Sequence, residues 1–419
     1  MRATPEGVWR NAEFLKLWIG GTVSAIGSQV TVLAMPLIAV LIFGAGPSQT
    51  GLLTAASYAP MLVFGLPAGA WVDRLRRRPV RIAADLGSAL IIGCVPIAAF
   101  LGLLRLEQLF LVAFLAGTLT VFARLSVSTL LPSLVGRPRL LEANGALLTS
   151  FSLALICGPP LAGLLVQVVA APFVLLIDAA SFLVSAACFV ALREPPPAPR
   201  APTRLALLVE IGEGLRWLCH NAVLLRVTVS IGLANIAWFA VQAVLVPYAT
   251  RDLQLSPALL GLALGATGPA SLLGSLLAAR SARRFGLGRT LVASLSGELL
   301  SRVVLILAGG PPLTAALGLG LSQAMFGFTA PMWDVNANSL RQTMAPERLL
   351  GRVTAASTFV GLGTAPIGAL LGGWTGEVAG LRTALIGTAV VTLCALVCLV
   401  ASPVPALRTP AALLDSTRP

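Results

Sequence analysis

Long apolar runs recur along the whole chain, and they limit its fold more than any other feature. Twelve runs reach the roughly twenty residues that a helix needs to cross a bilayer, and the breaks between them carry glycine, proline or charge. Only 11% of the residues are charged, whereas soluble domains have about 25%. We therefore predict an all-α integral membrane protein with twelve transmembrane helices. The predicted spans are 16–42, 50–72, 80–102, 108–131, 143–169, 171–192, 224–248, 258–279, 290–309, 312–334, 352–374 and 381–402.

The positions of the basic residues predict the orientation in the membrane. Of the 29 lysines and arginines, 24 fall in the N-terminal tail, in alternate loops and in the C-terminal tail, while the opposite loops hold only Arg105, Arg251 and Arg382. This asymmetry follows the positive-inside rule and predicts a bacterial-type inner membrane with both termini cytoplasmic. The net charge of +13 does not indicate nucleic-acid binding, because the basic residues form small clusters between apolar runs.

An internal repeat divides the chain into two halves. The segment "NAEFLKLW" from Asn11 aligns with "NAVLLRVT" from Asn221, and "GLLTAAS" from Gly51 aligns with "GLALGAT" from Gly261, both at an offset of about 210 residues. Parallel repeats of this kind occur in one large transporter architecture. We predict a six-helix half at 1–192, a cytoplasmic linker with an amphipathic helix at 193–223, a second half at 224–402 and a cytoplasmic tail at 403–419.

Two motifs resemble those of the major facilitator superfamily. The loop "GAWVDRLRRRPVR" is similar to the family's G-x-x-x-D-R-x-G-R-R between spans two and three, although Arg76 replaces the second glycine. The matching positions are Gly69, Asp73, Arg74, Arg77 and Arg78. In span five, "GPPLAG" is similar to the G-P-x-x-G antiporter motif through Gly158, Pro159 and Gly163, although Gly163 lies one position beyond the motif's last glycine. Further phrases, such as "LLIDAASFLVSA" and "SLRQTMAPERLLGRV", resemble the branch that holds macrolide efflux proteins and the enterobactin exporter.

The resemblance implies a mechanism and roles for the motif residues. Two halves would rock about a central cavity in alternating access, driven by the proton gradient and without any cofactor. Asp73 would hold the cytoplasmic side closed against the start of span eleven, with Arg74 and Arg77 tying the loop. Several relatives carry an acid in span one after S-x-x-G, whereas "SAIGSQ" has Ser28 and Gln29 there, so either another acid carries the proton or the mechanism is uniport-like.

Charged residues inside predicted spans are functional candidates, because they are costly in a membrane. Glu298 and Arg302 lie four residues apart on one helix face, as a structural pair or as a proton or substrate site. Asp178 serves either helix packing or proton coupling. Asp85 is expected to belong to the cytoplasmic gate. Arg124 either attracts an anionic cargo, or takes part in proton coupling, or forms a salt bridge with Asp85 or Glu142.

The spans that line the central cavity of the family also carry polar and aromatic residues. A large cavity with few charges suits bulky amphipathic molecules. The candidate cavity residues are Gln29, Tyr58, Asn235, Trp238, Gln242, Gln323, Met325 and Phe328.

Together these patterns predict a secondary active exporter of a drug-like or secondary-metabolite molecule by proton antiport. The alternatives are a siderophore exporter of the same mechanism and a non-transporting membrane sensor on the same fold. We expect a monomer in the lipid bilayer, with no metal and no nucleic-acid partner. An enzyme is not expected, since the spans hold no nucleophile–base spacing and the chain has one histidine.

The gate role of Asp73 gives the first prediction. Asp73→Asn should reduce export strongly while expression stays normal, because the neutral amide cannot hold the positive end of a helix as a carboxylate does. Cellular accumulation of a fluorescent cargo measures the effect, with Asp73→Glu as the charge-conserving control. Normal export by Asp73→Asn at normal expression would remove the gate role.

Overall fold

Helices make up almost all of the secondary structure. The computed structural model describes residues 7–74, 76–194, 212, 216–346 and 349–407, and no strand occurs among them. The helices of the first half are α1 (Ala12–Phe43), α2 (Pro47–Arg74), α3 (Arg77–Phe100), α4 (Leu106–Val135), α5 (Leu140–Val168) and α6 (Ala171–Ala191). Those of the second half are α7 (Ala222–Pro247), α8 (Pro257–Gly265), α9 (Thr267–Phe285), α10 (Leu287–Leu307), α11 (Pro312–Met344), α12 (Leu350–Gly363), α13 (Ala365–Ala379) and α14 (Leu381–Val400).

The lengths of these helices fit a membrane. Among the described residues, 11 helical stretches are long and apolar enough to cross a bilayer. Two of them, Pro257–Phe285 and Leu350–Ala379, each contain a pair of helices, α8 with α9 and α12 with α13. The 28-residue helix α2 covers the remaining predicted span, 50–72. The predicted all-helical membrane fold is therefore confirmed.

The repeat seen in the sequence has a structural counterpart at the start of each half. The side-chain oxygen of Asn11 accepts hydrogen bonds from the N–H groups of Glu13 and Phe14, at 3.0 and 3.2 Å. Asn221 accepts one from the N–H of Leu224 at 3.0 Å. Each asparagine thus caps a helix whose first N–H groups have no partner within the helix, which explains why the residue recurs 210 positions later.

Contacts divide the chain into two units. The N-terminal unit comprises Met1–Gly44 and Ala59–Thr203, and the C-terminal unit comprises Ala45–Tyr58 and Arg204–Pro419. In the N-terminal unit, α6 packs on α1 and α3, α1 also packs on α5, and α3 on α4. In the C-terminal unit, α11 packs on α9 and α10, and α7 packs on α13 and α14.

The first turns of α2 belong to the C-terminal unit, which differs from the predicted boundary at 192. A Cβ on Gly51 would lie 2.8 Å from the Cα of Gly373, so the backbones of α2 and α13 touch. Ser48 donates from its backbone N–H and its hydroxyl to the Glu377 carboxylate, at 3.2 and 3.1 Å. Glycine contact and helix capping together hold this end of α2 to α13.

The predicted linker and tail lie mostly outside the described residues. Within the linker, residues 216–220 are helical, while most of the predicted amphipathic helix is not described. Of the tail, Val404–Ala406 forms a short 3₁₀ turn, and a backbone hydrogen bond of 2.9 Å joins Gly288 N–H to the carbonyl of Leu407.

Two glycines 210 residues apart make the same kind of helix contact in the two units. A Cβ on Gly158 in α5 would lie 2.3 Å from the Cβ of Gln29 in α1. A Cβ on Gly368 in α13 would lie 2.4 Å from the backbone oxygen of Ile236 in α7. Small residues allow this approach between helices in membranes, where packing replaces the hydrophobic effect as the force between helices. The glycine of the span-five motif therefore sets the distance between α5 and α1.

Enlarging these glycines should separate the helices. We expect Gly158→Val and Gly368→Val each to cost about 1–3 kcal/mol, because the added atoms have no space. The melting temperature of the detergent-purified protein measures the loss. Gly21→Val is the matched control, since no atom lies within 4 Å of a Cβ at that position. Equal melting temperatures for all three variants would contradict the tight contact.

Candidate functional site

The loop of the first motif is described only in part. Helix α2 continues through Arg74, and α3 begins at Arg77, with Arg76 at its N-cap position. No side chain is described at positions 66–75, which include Gly69, Asp73 and Arg74, so the gate role of Asp73 stays a prediction.

Arg78 binds the end of α6. Its Nε donates to the carbonyl of Phe189 at 2.8 Å, its Nη2 donates to the carbonyl of Val190, and its backbone N–H donates to the Glu194 carboxylate at 3.3 Å. The last carbonyls of a helix lack partners within the helix and carry its partial negative charge. Arg78 therefore connects the start of α3 to the end of α6.

One helical turn further along α3, Arg81 forms a buried ion pair. Its Nε donates to Asp85 Oδ2 at 2.9 Å, and its Nη2 donates to the hydroxyl of Ser185 at 3.1 Å. The Ser185 hydroxyl in turn donates to Asp85 Oδ2 at 2.7 Å. Asp85 is completely buried. The carboxylate predicted for the gate is thus bound by its own helix and by α6.

Asp178 is buried between α6 and α1. Thr31 of α1 donates its hydroxyl to Asp178 Oδ2, and the hydroxyl of Ser181 donates to Oδ1 at 3.2 Å. The residue is 1% exposed. A Cβ on Gly27 would lie 2.7 Å from Oδ1, so the missing side chain at that position makes room for the carboxyl group. The structure therefore brings this acid against the "GSQVT" segment of span one.

Glu298 and Arg302 form the third buried cluster. Arg302 Nη2 donates to Glu298 Oε1 at 2.9 Å within α10, and Arg302 is 1% exposed. Next to this pair, the rings of Trp238 in α7 and Phe326 in α11 stack with centroids 3.9 Å apart and an interplanar angle of 6°.

The distance between the two rings, together with the distances from each ring to the Arg302 guanidinium, determines where the guanidinium lies. Its central carbon is 5.6 Å from the Trp238 ring centroid and 5.3 Å from that of Phe326. A group almost equally far from two stacked rings lies beside the stack and not over a face. Ring edges carry partial positive charge, so the aromatic pair does not neutralise Arg302, and Glu298 provides its counter-charge.

The predicted cavity residues are in different environments. Trp238, Gln242, Met325 and Phe328 are half-buried, whereas Gln323 is 4% exposed.

Asn235 donates from its side chain to the carbonyl of Gly361 in α12 at 2.9 Å, so its amide binds the protein itself. Tyr58 packs edge-on against Phe239, with ring centroids 4.7 Å apart. Gln29 is half-buried, and its Cβ lies against Gly158. These three contacts join helices within a unit.

Arg124 is exposed, and no ion pair joins it to Asp85 or Glu142 among the side chains that the structure describes. Asp85 pairs with Arg81, and the Glu142 carboxylate accepts the backbone N–H of Val8 at 3.3 Å. The salt-bridge alternative for Arg124 is therefore not the arrangement seen.

Sequence reasoning missed four contributors: Thr31, Ser181, Ser185 and Phe326. Three of the polar residues on α6 do leave a signal, because Asp178, Ser181 and Ser185 recur at i, i+3 and i+7 and thus share one face of an otherwise apolar helix. Phe326 and Thr31 leave none, since their partners lie on other helices.

Comparison with known proteins identifies the class. The model of the Major Facilitator Superfamily matches residues 17–243 and 227–418. The chain is 29% identical over 385 residues to the multidrug efflux pump Tap of Mycolicibacterium fortuitum, covering 90% of this chain and 92% of Tap. It is 28% identical over 332 residues to the enterobactin exporter EntS of Escherichia coli O1:K1 / APEC, covering 78% of this chain and 76% of EntS.

The fold agrees with this result. A solved structure of the nucleoside transporter NupG matches with a TM-score of 0.80 at 11% identity, over 93% of this chain and 99% of that one. The arrangement of helices and the matches along both halves define a multi-pass membrane transporter for small molecules, not an enzyme. The chain belongs to the Major Facilitator Superfamily, and the predicted efflux and exporter branch is confirmed by the relatives.

The Glu298–Arg302 pair gives a further prediction. Arg302→Met should destabilise the protein by about 3–5 kcal/mol, because Glu298 is left as an uncompensated buried charge. Glu298→Leu combined with Arg302→Met should recover most of that loss. We expect the double variant to export as well as the wild type, which is the result for a structural pair. A stable double variant without export would assign the pair to transport instead.

Proposed function

We propose that the protein exports bulky amphipathic molecules of drug-like or secondary-metabolite chemistry by proton antiport. The observation that carries this proposal is the similarity to a multidrug efflux pump over about nine-tenths of both chains. Matching across almost the whole length means that both halves are shared, and alternating access requires both.

The chemistry of the C-terminal unit supports a cargo of this kind. The half-buried residues of α7 and α11 include the stacked pair Trp238 and Phe326, together with Met325 and Phe328. Large flat rings and a thioether give contact area without demanding a fixed pattern of hydrogen bonds. Such a surface favours molecules with an aromatic or aliphatic body and few charges.

Energy would come from the proton gradient, with no cofactor. The sequence has no glycine-rich phosphate loop of the G-x-x-x-x-G-K type, and among the described residues no group of three potential metal ligands occurs. Buried carboxyl groups inside the helices provide sites at which a proton could bind. We further propose an inner-membrane location with both termini cytoplasmic, as the 24 basic residues on that side favour.

A siderophore is the second candidate cargo. The similarity to the enterobactin exporter supports it, and the exposed guanidinium of Arg124 in α4 could attract an anionic iron chelator. Both cargo classes would use the same cycle, so the difference between them is one of specificity and not of mechanism.

Efflux from cells tests the proposal. Cells that express the protein should accumulate less of a planar lipophilic dye such as ethidium than cells with an empty vector. Dissipating the proton gradient should abolish the difference, because uphill export then lacks its energy source. A panel that includes a catechol siderophore distinguishes the two cargo classes. Export that continues after the gradient collapses would rule out proton antiport.

A further inference from the structure

Three carboxyl groups are buried within the described helices, and they differ in their counter-charges. Asp85 pairs with Arg81 at 2.9 Å, and Glu298 pairs with Arg302 at 2.9 Å. Asp178, at 1% exposure, has no cationic partner among the described side chains. An ionised carboxylate without a counter-charge is strongly disfavoured in an apolar interior, so the environment of Asp178 differs from that of the other two acids.

The groups around Asp178 are hydroxyls. Thr31 of α1 donates to Oδ2, and Ser181 of α6 donates to Oδ1; Ser28 of α1 also lies beside the carboxyl group. A hydroxyl can donate to an ionised carboxylate and can accept from a protonated one. This set of partners therefore satisfies the carboxyl group in both protonation states, whereas an arginine partner would favour the ionised state alone.

No charge on the neighbouring helices is directed at Asp178. Helix α6 has no other charged residue between Ala171 and Ala191. On α1 the charged residues are Glu13 and Lys16, which bind each other at 2.8 Å near the start of the helix. On α5 the only charge is Glu142, in the first turn.

The charged residues of α3 lie further along α6. Arg81 and Asp85 meet α6 at Ser185, seven residues beyond Asp178, and seven residues of helix span about 10 Å. Asp85 also neutralises the positive charge of Arg81. A proton can therefore neutralise Asp178 without any cationic side chain nearby.

We propose that Asp178 carries the exchanged proton. The inference rests on the proposed antiport, and it names the residue that couples it. One proton from the external side binds the Asp178 carboxylate, and the same proton leaves toward the cytoplasm later in the cycle, so charge and atoms balance over one turnover. Asp178 joins α6 to α1 through its contacts with Thr31 and Gly27. A shift between these helices therefore changes the partners of the carboxyl group, and this changes its affinity for the proton.

The change Asp178→Asn separates this role from a structural one. An asparagine is nearly the same size, and its amide oxygen can accept from one of the two hydroxyls while its amide N–H donates to the other, but it cannot bind and release a proton. A purely structural acid therefore tolerates this replacement, whereas a proton carrier does not. Asp252→Asn is the matched control, because it makes the same chemical change at an exposed position after α7.

The first measurement needs no cargo. Infrared difference spectra of the purified full-length protein are recorded across a pH titration, and the carbonyl stretch of protonated carboxylic acids is followed. We expect a titrating band in the wild type and in Asp252→Asn that is absent in Asp178→Asn. Asp178→Glu should restore a titrating band at a shifted position. The same band in Asp178→Asn as in the wild type would overturn the proposal.

The second measurement uses ethidium in proteoliposomes. Asp178→Asn should keep exchange of ethidium across the membrane within about twofold of wild type, since exchange needs no net proton movement. Uphill transport driven by an imposed pH gradient should fall at least tenfold. Uphill transport by Asp178→Asn at the wild-type rate would also overturn the proposal. If the wild type itself moves no ethidium or other panel compound, the proposed export fails, and the infrared titration still decides the proton site.

Discussion

The core of a bilayer offers no hydrogen-bonding partners, and this constraint governs the arrangement of polar groups within the described helices. Many hydroxyl side chains there return a hydrogen bond to their own helix, and others reach across to the next one. The Ser322 hydroxyl donates to the carbonyl of Ser301 and so joins α11 to α10 at 2.8 Å, and Ser230 donates to Ala395 to join α7 to α14 at 3.0 Å. The contacts that satisfy these polar groups are therefore also the contacts that order the helices.

The same constraint explains the buried charges. Two acids are neutralised by arginines one helical turn away, which is an arrangement that forms within a single helix. The third, Asp178, depends on hydroxyls from its own helix and from α1. An ion pair within one helix moves as a unit and keeps its geometry, whereas a carboxyl group shared by α6 and α1 is sensitive to any movement between them. Because of this difference, Asp178 is the buried acid whose affinity for a proton is most sensitive to a conformational change.

Close glycine contacts complement the polar ones. Gly158 against Gln29 in the N-terminal unit and Gly368 against Ile236 in the C-terminal unit each bring two helices of the same unit close together, at equivalent positions of the repeat. Such contacts give packing energy without polar groups, so the helices can approach closely and still rearrange. Gly158 of the span-five motif and its counterpart Gly368 thus each allow a close contact between two helices, whatever cargo the protein carries.

The sequence alone determined the helical membrane fold, because the length of an apolar run and the position of charges between runs depend only on the local chain. It also determined the repeat, whose capping residues Asn11 and Asn221 act within their own helices. It identified Glu298 with Arg302, since partners four residues apart lie on one face of a helix. Only the tertiary structure showed that Gln323 is buried, that Asn235 binds Gly361, and that Thr31 reaches Asp178. Contacts between residues on different helices depend on how the helices pack, and the spacing of residues within one segment does not predict that packing.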